Sequence, residues 1–438
     1  MDIIRITDIS SEGEGIGRTE GGMVVFVPGA LPGDTVEAEI LLKEGSRSAK
    51  GVLPRIAEPS PDRTDSPCPY AAECGGCPLI GLSYKAQLTL KQKHVEDALL
   101  HIGGFKAGED YVLRDIIFAK DSAEATPQDI DADFPMPLRY RNKAEFAISG
   151  NKVGYLKRGT HSMVEPKDCV IQQQAAMDTV ERIRAELKPT QKYFTRLVVR
   201  TSRAGEVMTI KEDRDGGFVS DRRILKDEIV TAAGTLNTEI SPQSFYQVNS
   251  EGCSILYTKA QQYARLTGSE SLLDLYCGAG SIGLSMAGQC ARVIGVESVK
   301  PAVLDANRNA VINGIVNATF VCGRAEDVID TKLQGVKADV VVLDPPRAGC
   351  AKSLLEAVLK IGPQRVVYVS CNPSTLARDL KVLCDGSGYR LIEATPVDMF
   401  PGTLHVETVC CLYHQKRDFI SVPYEPRNAD YLKKNKSE

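Results

Sequence analysis

The sequence predicts an α/β protein: a Rossmann-like doubly wound sheet in the carboxyl-terminal half, preceded by a small OB-like β-barrel and a central α+β module. Three observations predict it. Apolar, β-branched runs alternate with helix-like segments from about residue 240 onward. Short alternating strands broken by glycines fill the first 57 residues, and a cysteine-rich loop followed by mixed strands lies between the two. At 438 residues the chain is long enough for two or three domains, each with its own core. With 43% hydrophobic and 25% charged residues it has a soluble globular composition, and no run of about eighteen apolar residues offers a membrane span. The start, MDIIRITDIS, lacks the basic leader and apolar stretch of a signal peptide, so a cytoplasmic location is expected.

The barrel is expected over residues 1–57, from the alternation in VVFV and TVEAEI and the Pro-Gly turns between them. Pro54, Pro59 and Pro61 mark a linker into a central domain over 58–235. There, Leu88, Val95, Ala98 and Leu99 recur at helical spacing, which predicts a helix over 84–100 that packs on the catalytic domain. Residues 119–137 are polar and acidic and read as a surface loop, and AEFAISG, VGYLK, RLVVRTS and EVMTIK read as antiparallel strands. Residues 236–438 form the expected catalytic domain, in which LLDLYC, RVIGVE, ATFVCG, ADVVVLD and QRVVYVSC have the length of buried strands.

A formal net charge of −4 argues against a uniformly basic nucleic-acid-binding surface. Its distribution is uneven: residues 139–167 carry seven Lys or Arg against two acids, whereas 121–133 carry acids only. The basic stretch includes Tyr140, Phe146 and Tyr155, which suit either base stacking or the core and rim of the central module.

Gly278, Gly280 and Gly283 form G-x-G-x-x-G between a strand and a helix, with Glu297 closing the next strand. That arrangement lets backbone approach a ligand and sets a carboxylate against ribose hydroxyls, and it fits NAD as well as S-adenosylmethionine. Asp344-Pro345-Pro346-Arg347 follows ADVVVLD, outside the carboxyl end of a strand, where open α/β sheets bind ligands. Ser370-Cys371-Asn372-Pro373 ends another buried strand and puts a thiol on a rigid element beside helix-starting amides, which are expected to lower its pKa. Cys68, Cys74 and Cys77 stand in C-x5-C-x2-C, with Cys169 the best fourth candidate. Four thiolates suit zinc or an iron–sulfur cluster, and spacing does not choose between them. Cys253, Cys290, Cys322, Cys384, Cys410 and Cys411 sit alone in apolar segments and read as small hydrophobes.

Together SCNP, DPPR, LDLYCGAGSIG and the segment Ser241-Pro242-Gln243-Ser244-Phe245-Tyr246-Gln247-Val248-Asn249 resemble the RNA 5-methyluridine methyltransferase family over nearly the whole chain, in particular its iron–sulfur-containing 23S ribosomal type. The resemblance implies that Gln247, Tyr276, Glu297 and Asp344 contact S-adenosylmethionine, that Cys371 is the nucleophile, and that Glu407 in HVETV is the general base. It also implies that the barrel is a TRAM-type RNA-binding domain, and that Cys68, Cys74, Cys77 and Cys169, the last in Val164-Glu165-Pro166-Lys167-Asp168-Cys169, hold a 4Fe-4S cluster.

The chemistry wants these groups. Carbon 5 of uracil becomes nucleophilic once a thiolate adds to carbon 6, and a base must then take the carbon 5 proton. The target base must leave its stack to reach the pocket. Ribosomal RNA is the expected partner rather than transfer RNA, with no obligate protein partner and a monomeric chain. An NAD-linked iron–sulfur oxidoreductase would need an acid/base for hydride transfer, and none of the five histidines sits in a convincing motif. A non-catalytic RNA-binding protein would leave Cys371, DPPR and Glu407 unexplained.

Overall fold

Alternating small apolar residues close the first strands into a barrel. In the computed structural model, which describes residues 1–42, 45, 47–186 and 194–415, strands Asp2–Ile9, Glu14–Arg18, Val24–Pro28, Ser48–Glu58 and Thr35–Leu42 are neighbours in that order around it. Residues 416–438 of the expected catalytic domain lie outside the described residues. Ile4, Ile6, Val25, Val27, Val36 and Ala38 point inward and are fully buried. Burying each branched side chain contributes about 1.5–3 kcal/mol relative to leaving it exposed. The barrel is fastened to the connector after it by Asp34, a buried carboxylate that accepts from Leu31 N at 2.7 Å, Ser60 N at 2.9 Å and Arg63 Nε and Nη2 at 2.7 and 2.6 Å.

The cysteine-rich segment makes one helical turn, Ala71–Cys74, before Ser83 caps the long helix Tyr84–Ala98 by accepting from Ala86 N. That helix runs on through a π-helical turn, Leu99–Gly103, and stops at Gly104, whose φ of +79° suits a residue without a Cβ. Leu88, Val95 and Leu99 share one core with Leu376, Leu380 and Leu383 of the helix Pro373–Cys384, so the helix packs on the sheet that carries the site.

The central module is a six-stranded antiparallel sheet in the order Met163–Val164, Lys152–Leu156, Lys143–Ser149, Phe194–Thr201, Val207–Asp213, Phe218–Ser220, backed by the helix Gln174–Glu186. Of the aromatics in the basic stretch, Phe146 is buried and stacks on Tyr155 at 4.7 Å, and Tyr140 is buried with its hydroxyl donating to Pro401 O. These rings are core, because alternate residues of Lys143–Ser149 face the helix. Several of the cations there are likewise engaged: Arg139 with Asp168, Lys143 with Glu145, Lys157 with Glu73, and Arg158 with the carbonyls of Gly13 and Gly75.

Residues 119–137 are more ordered than their polarity predicts. Phe118–Lys120 and Ala123–Ala125 form a tight hairpin whose turn residues, Asp121 and Ser122, both have positive φ, the two-residue geometry that matches strand twist. Thr126 and Asp129 then cap a 3-10 turn reciprocally. Ala125 and Ile130 of this stretch are buried in the core with Phe118 before it, and Phe134 and Met136 pack against its edge, at intervals that match neither a strand nor a helix. No hydrophobic period is therefore visible.

The third sheet has eight strands in the order Ala318–Cys322, Arg292–Glu297, Ser271–Leu275, Val340–Leu343, Arg365–Ser370, Glu407–His414, Tyr389–Val397, Val112–Leu113. The first five are parallel, and Glu407–His414 runs antiparallel between Arg365–Ser370 and Tyr389–Val397. The hairpin Leu225–Thr231 and Gly234–Ile240 packs on this sheet's helices through Ile229, Leu236 and Ile240, so a boundary near residue 235 passes through a hairpin. Among the lone cysteines, Cys253, Cys290, Cys410 and Cys411 are buried, whereas Cys322 and Cys384 are half-buried. No helix of the described residues is long and apolar enough to cross a membrane.

Burial alone would raise the pKa of Asp34, but Arg63 and the amides of Leu31 and Ser60 outweigh it and hold the carboxyl below its ordinary value. The stability it contributes is therefore present above the unfolded value of 3.8 and lost as pH falls through the folded one. We expect Arg63→Ala to cost about 2 kcal/mol, below the full cost of stripping a partner from a buried pair because Arg63 is partly in water. Urea denaturation, with proteolysis of the connector near residues 59–66, checks this.

Candidate active site

The strand order reverses between Ser271–Leu275 and Val340–Leu343: the chain goes from Ser271–Leu275 outward to Arg292–Glu297 on one side and later to Val340–Leu343 on the other. A crevice opens at such a switch point, outside the carboxyl ends of the strands. Tyr276 and Asp344 are the residues that leave these two strands, and Asp344 N donates to Leu275 O. Tyr276 has φ +64°, a conformation that costs a non-glycine residue about 1–3 kcal/mol and that surrounding structure must enforce.

The glycine loop is shaped from below. Gly280, at φ +82°, starts the helix Ser281–Met286. A Cβ on Gly283 would fall 2.8 Å from Asp274 Oδ2 and 2.9 Å from Val293, so only glycine lets the helix approach the strand. Asp274 is fully buried and accepts from Gly283 N at 2.9 Å. Burial, with Asp344 and Glu297 nearby, pushes its carboxyl up to about 8 against that hydrogen bond. At the next strand end, Glu297 Oε2 accepts from Gly278 N at 3.1 Å while Oε1 accepts from Val299 N and Ser298 Oγ.

Gln247 is buried in the segment that leads into the helix Ser250–Ala264. Asn142 of the central module holds that segment by donating to Gln247 O at 3.1 Å, and Asn142 N donates to Val248 O. Asp305, from the helix after Glu297, holds its start by accepting from Ser241 N, Ser241 Oγ and Ser244 Oγ at 2.7, 2.6 and 2.5 Å. Cys253 and Tyr257 of the following helix lie within electrostatic reach of Asp344.

Cys371 and Glu407 meet because their strands run oppositely. Ser370 pairs with Thr408, so the residue after the first strand stands beside the residue that begins the second. Burial, then the charges of Glu407 and Asp344, push the half-buried Cys371 thiol up to about 11, with Arg347 acting the other way. The expected lowering by helix amides is absent: Asn372 caps the helix itself, accepting from Ser374 N. Burial and then Asp344 push Glu407 up to about 8, and burial pushes Asp344 up to about 7. Asn372 Nδ2 also donates to Arg347 O at 3.0 Å, tying the SCNP loop to the DPPR loop. Arg347 Nη2 lies 3.2 Å from His405 Nε2. Burial and the neighbouring cations hold His405 down at about 4, so the ring is neutral and Nε2 accepts from the guanidinium. Thus Tyr276, Glu297, Asp344, Cys371 and Glu407 share one rim.

The four cysteines are drawn toward one place. Burial raises the thiols of Cys68, Cys74 and Cys77, the last to about 12, and the charge of Cys169 adds to each. The buried Tyr155 hydroxyl lies against Cys169 and Gln172. Among the described residues no group of three or more His, Cys, Asp or Glu is close enough to hold a single metal ion.

Sequence reasoning missed Asp274, Asp305 and Asn142. Each is a buried polar residue that supports a site loop, and an isolated Asp or Asn carries no spacing signal.

The tRNA (Uracil-5-)-methyltransferase family matches residues 202–416 and the TRAM domain matches residues 4–50. The chain is 36% identical to an RNA methyltransferase of Halalkalibacterium halodurans over 94% of this chain and 97% of that one. It is 38% identical to an RNA methyltransferase of Caldanaerobacter subterraneus over 93% of this chain and 96% of that one. Its fold is similar to that of Pyrococcus abyssi tRNA (uracil-54, C5)-methyltransferase, solved with S-adenosyl-L-homocysteine, with a TM-score of 0.68 at 24% identity over 93% of this chain and 99% of that one. With a TRAM barrel, a Rossmann-like catalytic sheet and relatives matched end to end, the chain belongs to the RNA (uracil-5-)-methyltransferase family.

Proposed function

We propose that this protein methylates carbon 5 of a uridine in ribosomal RNA, most specifically 23S, through a covalent Cys371–uracil adduct, with Glu407 as the base that resolves it. The observation that carries the reading is the antiparallel register that sets Glu407 beside Cys371 at the switch point of the sheet. S-adenosylmethionine, when bound, supplies an electrophilic methyl on a cationic sulfur; Gln247, Tyr276, Glu297 and Asp344 are the residues that would hold it. Glu297 suits the ribose hydroxyls by its place after the glycine loop, and Asp344 suits the neighbourhood of a cation because it is a half-buried carboxyl whose desolvation a cation would offset.

Cys371 acts as a thiolate, favoured by Arg347. Its sulfur bonds to carbon 6, and the electrons of the 5,6 double bond move onto the carbon 4 carbonyl. Carbon 5 of the resulting enolate accepts the methyl group. Glu407 then takes the carbon 5 proton, the double bond re-forms, and the sulfur leaves with its electron pair. The ribosomal choice rests on the resemblance of the cysteine segment to that of the cluster-bearing ribosomal members. The tRNA enzyme from Pyrococcus abyssi supports the fold alone.

Cys68, Cys74, Cys77 and Cys169 would hold a 4Fe-4S cluster, a group suited to all-cysteine ligation, and the electrostatic reach of Cys169 to each of the other three thiols, with the Tyr155 hydroxyl against Cys169, supports it. Its contribution would be a cross-link between the cysteine segment and the central module, since the methyl-transfer chemistry moves no single electron.

Cys371→Ala should abolish tritium release from RNA labelled at uracil carbon 5 while calorimetry still finds cofactor affinity within about twofold; turnover in that variant would remove the covalent step. Tested against separate ribosomal and transfer RNA pools, release from the transfer pool alone would overturn the substrate assignment. Glu407→Gln should slow release about 100-fold or more and trap a protein–RNA adduct that survives denaturing electrophoresis. A base must be ionised, and Glu407 stands near 8 in the free protein, so the rate of tritium release from preformed adduct in a single turnover should rise with pH through about 8. A flat profile from pH 6.5 to 9 would take Glu407 out of the role. Protein purified without oxygen should carry about four irons per chain and a visible absorbance that Cys74→Ser abolishes; bound zinc instead would reject the cluster.

A further inference from the structure

Glu407 begins its strand directly after the connection 398–406, and Val397, the residue before that connection, pairs with Glu407 itself. The connection is therefore a loop closed at its base, and whatever fixes the loop fixes the carboxyl. Some of what fixes it is local: Asp398 N donates to Ile117 O, Thr403 N and Oγ1 both donate to Phe400 O, and His405 N donates to Thr403 Oγ1. Other bonds come from elsewhere. Asn249 Nδ2 donates to Met399 O at 3.0 Å, Lys91 Nζ to Phe400 O at 2.9 Å, and Tyr140 Oη to Pro401 O at 3.0 Å. Gly402 N donates to Gln87 Oε1 at 2.8 Å, and Leu79 N donates to Gly402 O at 3.0 Å.

The centre of this grip is a buried triad. Lys91 Nζ meets Asp398 Oδ1 at 2.6 Å, the other oxygen accepts from Tyr84 Oη at 3.0 Å, and Oδ1 also accepts from Phe400 N. Lys91 and Asp398 are each 2% exposed. A charge pair so deep contributes little net stability over an apolar pair of similar volume, because desolvation offsets its attraction. What an apolar pair cannot supply is direction: the ammonium makes two bonds that fix both the side chain of Asp398 and the carbonyl of Phe400. The charge of Lys91 also reaches His405, two residues before Glu407, at the far end of the same loop.

We infer that Lys91, with Asp398 and Tyr84, is a positioning device: the long helix Tyr84–Ala98 grips the loop 398–406 and so sets the Glu407 carboxyl against carbon 5 of a uracil attached to Cys371. The inference rests on the reading of Glu407 as the base. It separates two steps. Cys371 directly follows the strand Arg365–Ser370, and the loop reaches it only through His405 and Arg347, so attack at carbon 6 depends on the grip far less than proton removal does.

The test is single-turnover reaction of full-length protein with cofactor and uracil-5-tritiated RNA, following adduct and tritium release together. Lys91→Met should form adduct within about threefold of the parent rate yet release tritium about 100-fold more slowly, the scale of a catalytic group misplaced by about 1 Å, with KM for S-adenosylmethionine unchanged. Tyr84→Phe, which removes one hydroxyl and keeps the ring packed, should slow release about tenfold. Should Lys91→Met fail to fold, the neutral double variant Lys91→Met/Asp398→Leu takes its place with the same expected split. Adduct and release falling in proportion, or release at the parent rate in any folded variant including Tyr84→Phe, overturns the inference. Glu407→Gln run in parallel distinguishes the two failures: if it traps no adduct, the base reading falls; if it does and Tyr84→Phe and the Lys91 variants do not, only the positioning role falls.

Discussion

One antiparallel strand in an otherwise parallel neighbourhood makes the candidate site. Parallel strands deliver only their carboxyl ends to the crevice, and that suffices for Tyr276, Glu297, Asp344 and Cys371. A group on a residue that begins a strand needs that strand reversed. Glu407–His414 is reversed and lies against the strand that ends before Cys371, so two residues 36 positions apart, 371 and 407, face each other on rigid backbone. The pairing is enforced by burial on both faces, since a one-residue slip would turn Val409 and Cys411 and their neighbours inside out.

That placement has an electrostatic consequence. Burial moves the carboxyls of Asp274, Asp344 and Glu407 up to about 8, 7 and 8, and the charge of Asp344 adds to the rise at Asp274 and at Glu407. A carboxyl whose folded pKa exceeds its unfolded value binds its proton more tightly when folded. Stability therefore declines as pH rises from the unfolded values of 3.8 and 4.5 through 7 to 8. Arg347 is the cation that opposes this at Cys371 and Glu407, and neutral His405 orients it without adding a second positive charge. A cationic ligand in the crevice would satisfy the same acids, so the free protein is less stable near neutrality than its packing alone would make it.

Much of this was legible in the sequence where chemistry imposes spacing. The glycine loop, the DPPR and SCNP strand ends and the three close cysteines each fix residue types at set intervals, and the alternating texture after residue 240 marks the sheet. The parts that were not legible depend on distant pairing. Phe146 and Tyr155 read equally well as stacking surface or as core until the strand register puts Phe146 under the helix Gln174–Glu186. Cys371 was expected to have a lowered pKa from nearby helix amides, but Asn372 takes the Ser374 amide, and burial followed by two carboxyls raises the thiol instead. Asp305 and Asn142 act on a segment about 60 and about 105 positions away, and no local pattern announces them.

The contacts between modules are what remain to be explained by function. A Rossmann-like sheet binds its cofactor without help, yet here the loop before Glu407 is held from the long helix, the cysteine segment and the central module at once. A Cβ at Gly402 would come 3.7 Å from the Cβ of Cys77, so the cysteine segment lies directly against that loop. The long helix, the cysteine segment and the central module are thereby packed on the loop that leads into Glu407, while Glu297 and Asp344 leave strands that the central module does not buttress in this way. In such an arrangement the central module shapes the second half of the reaction rather than the first. On the proposed mechanism it would complete the site around a uracil attached to Cys371, and this gives a physical reason for a catalytic sheet to be built into two further modules rather than merely tethered to them.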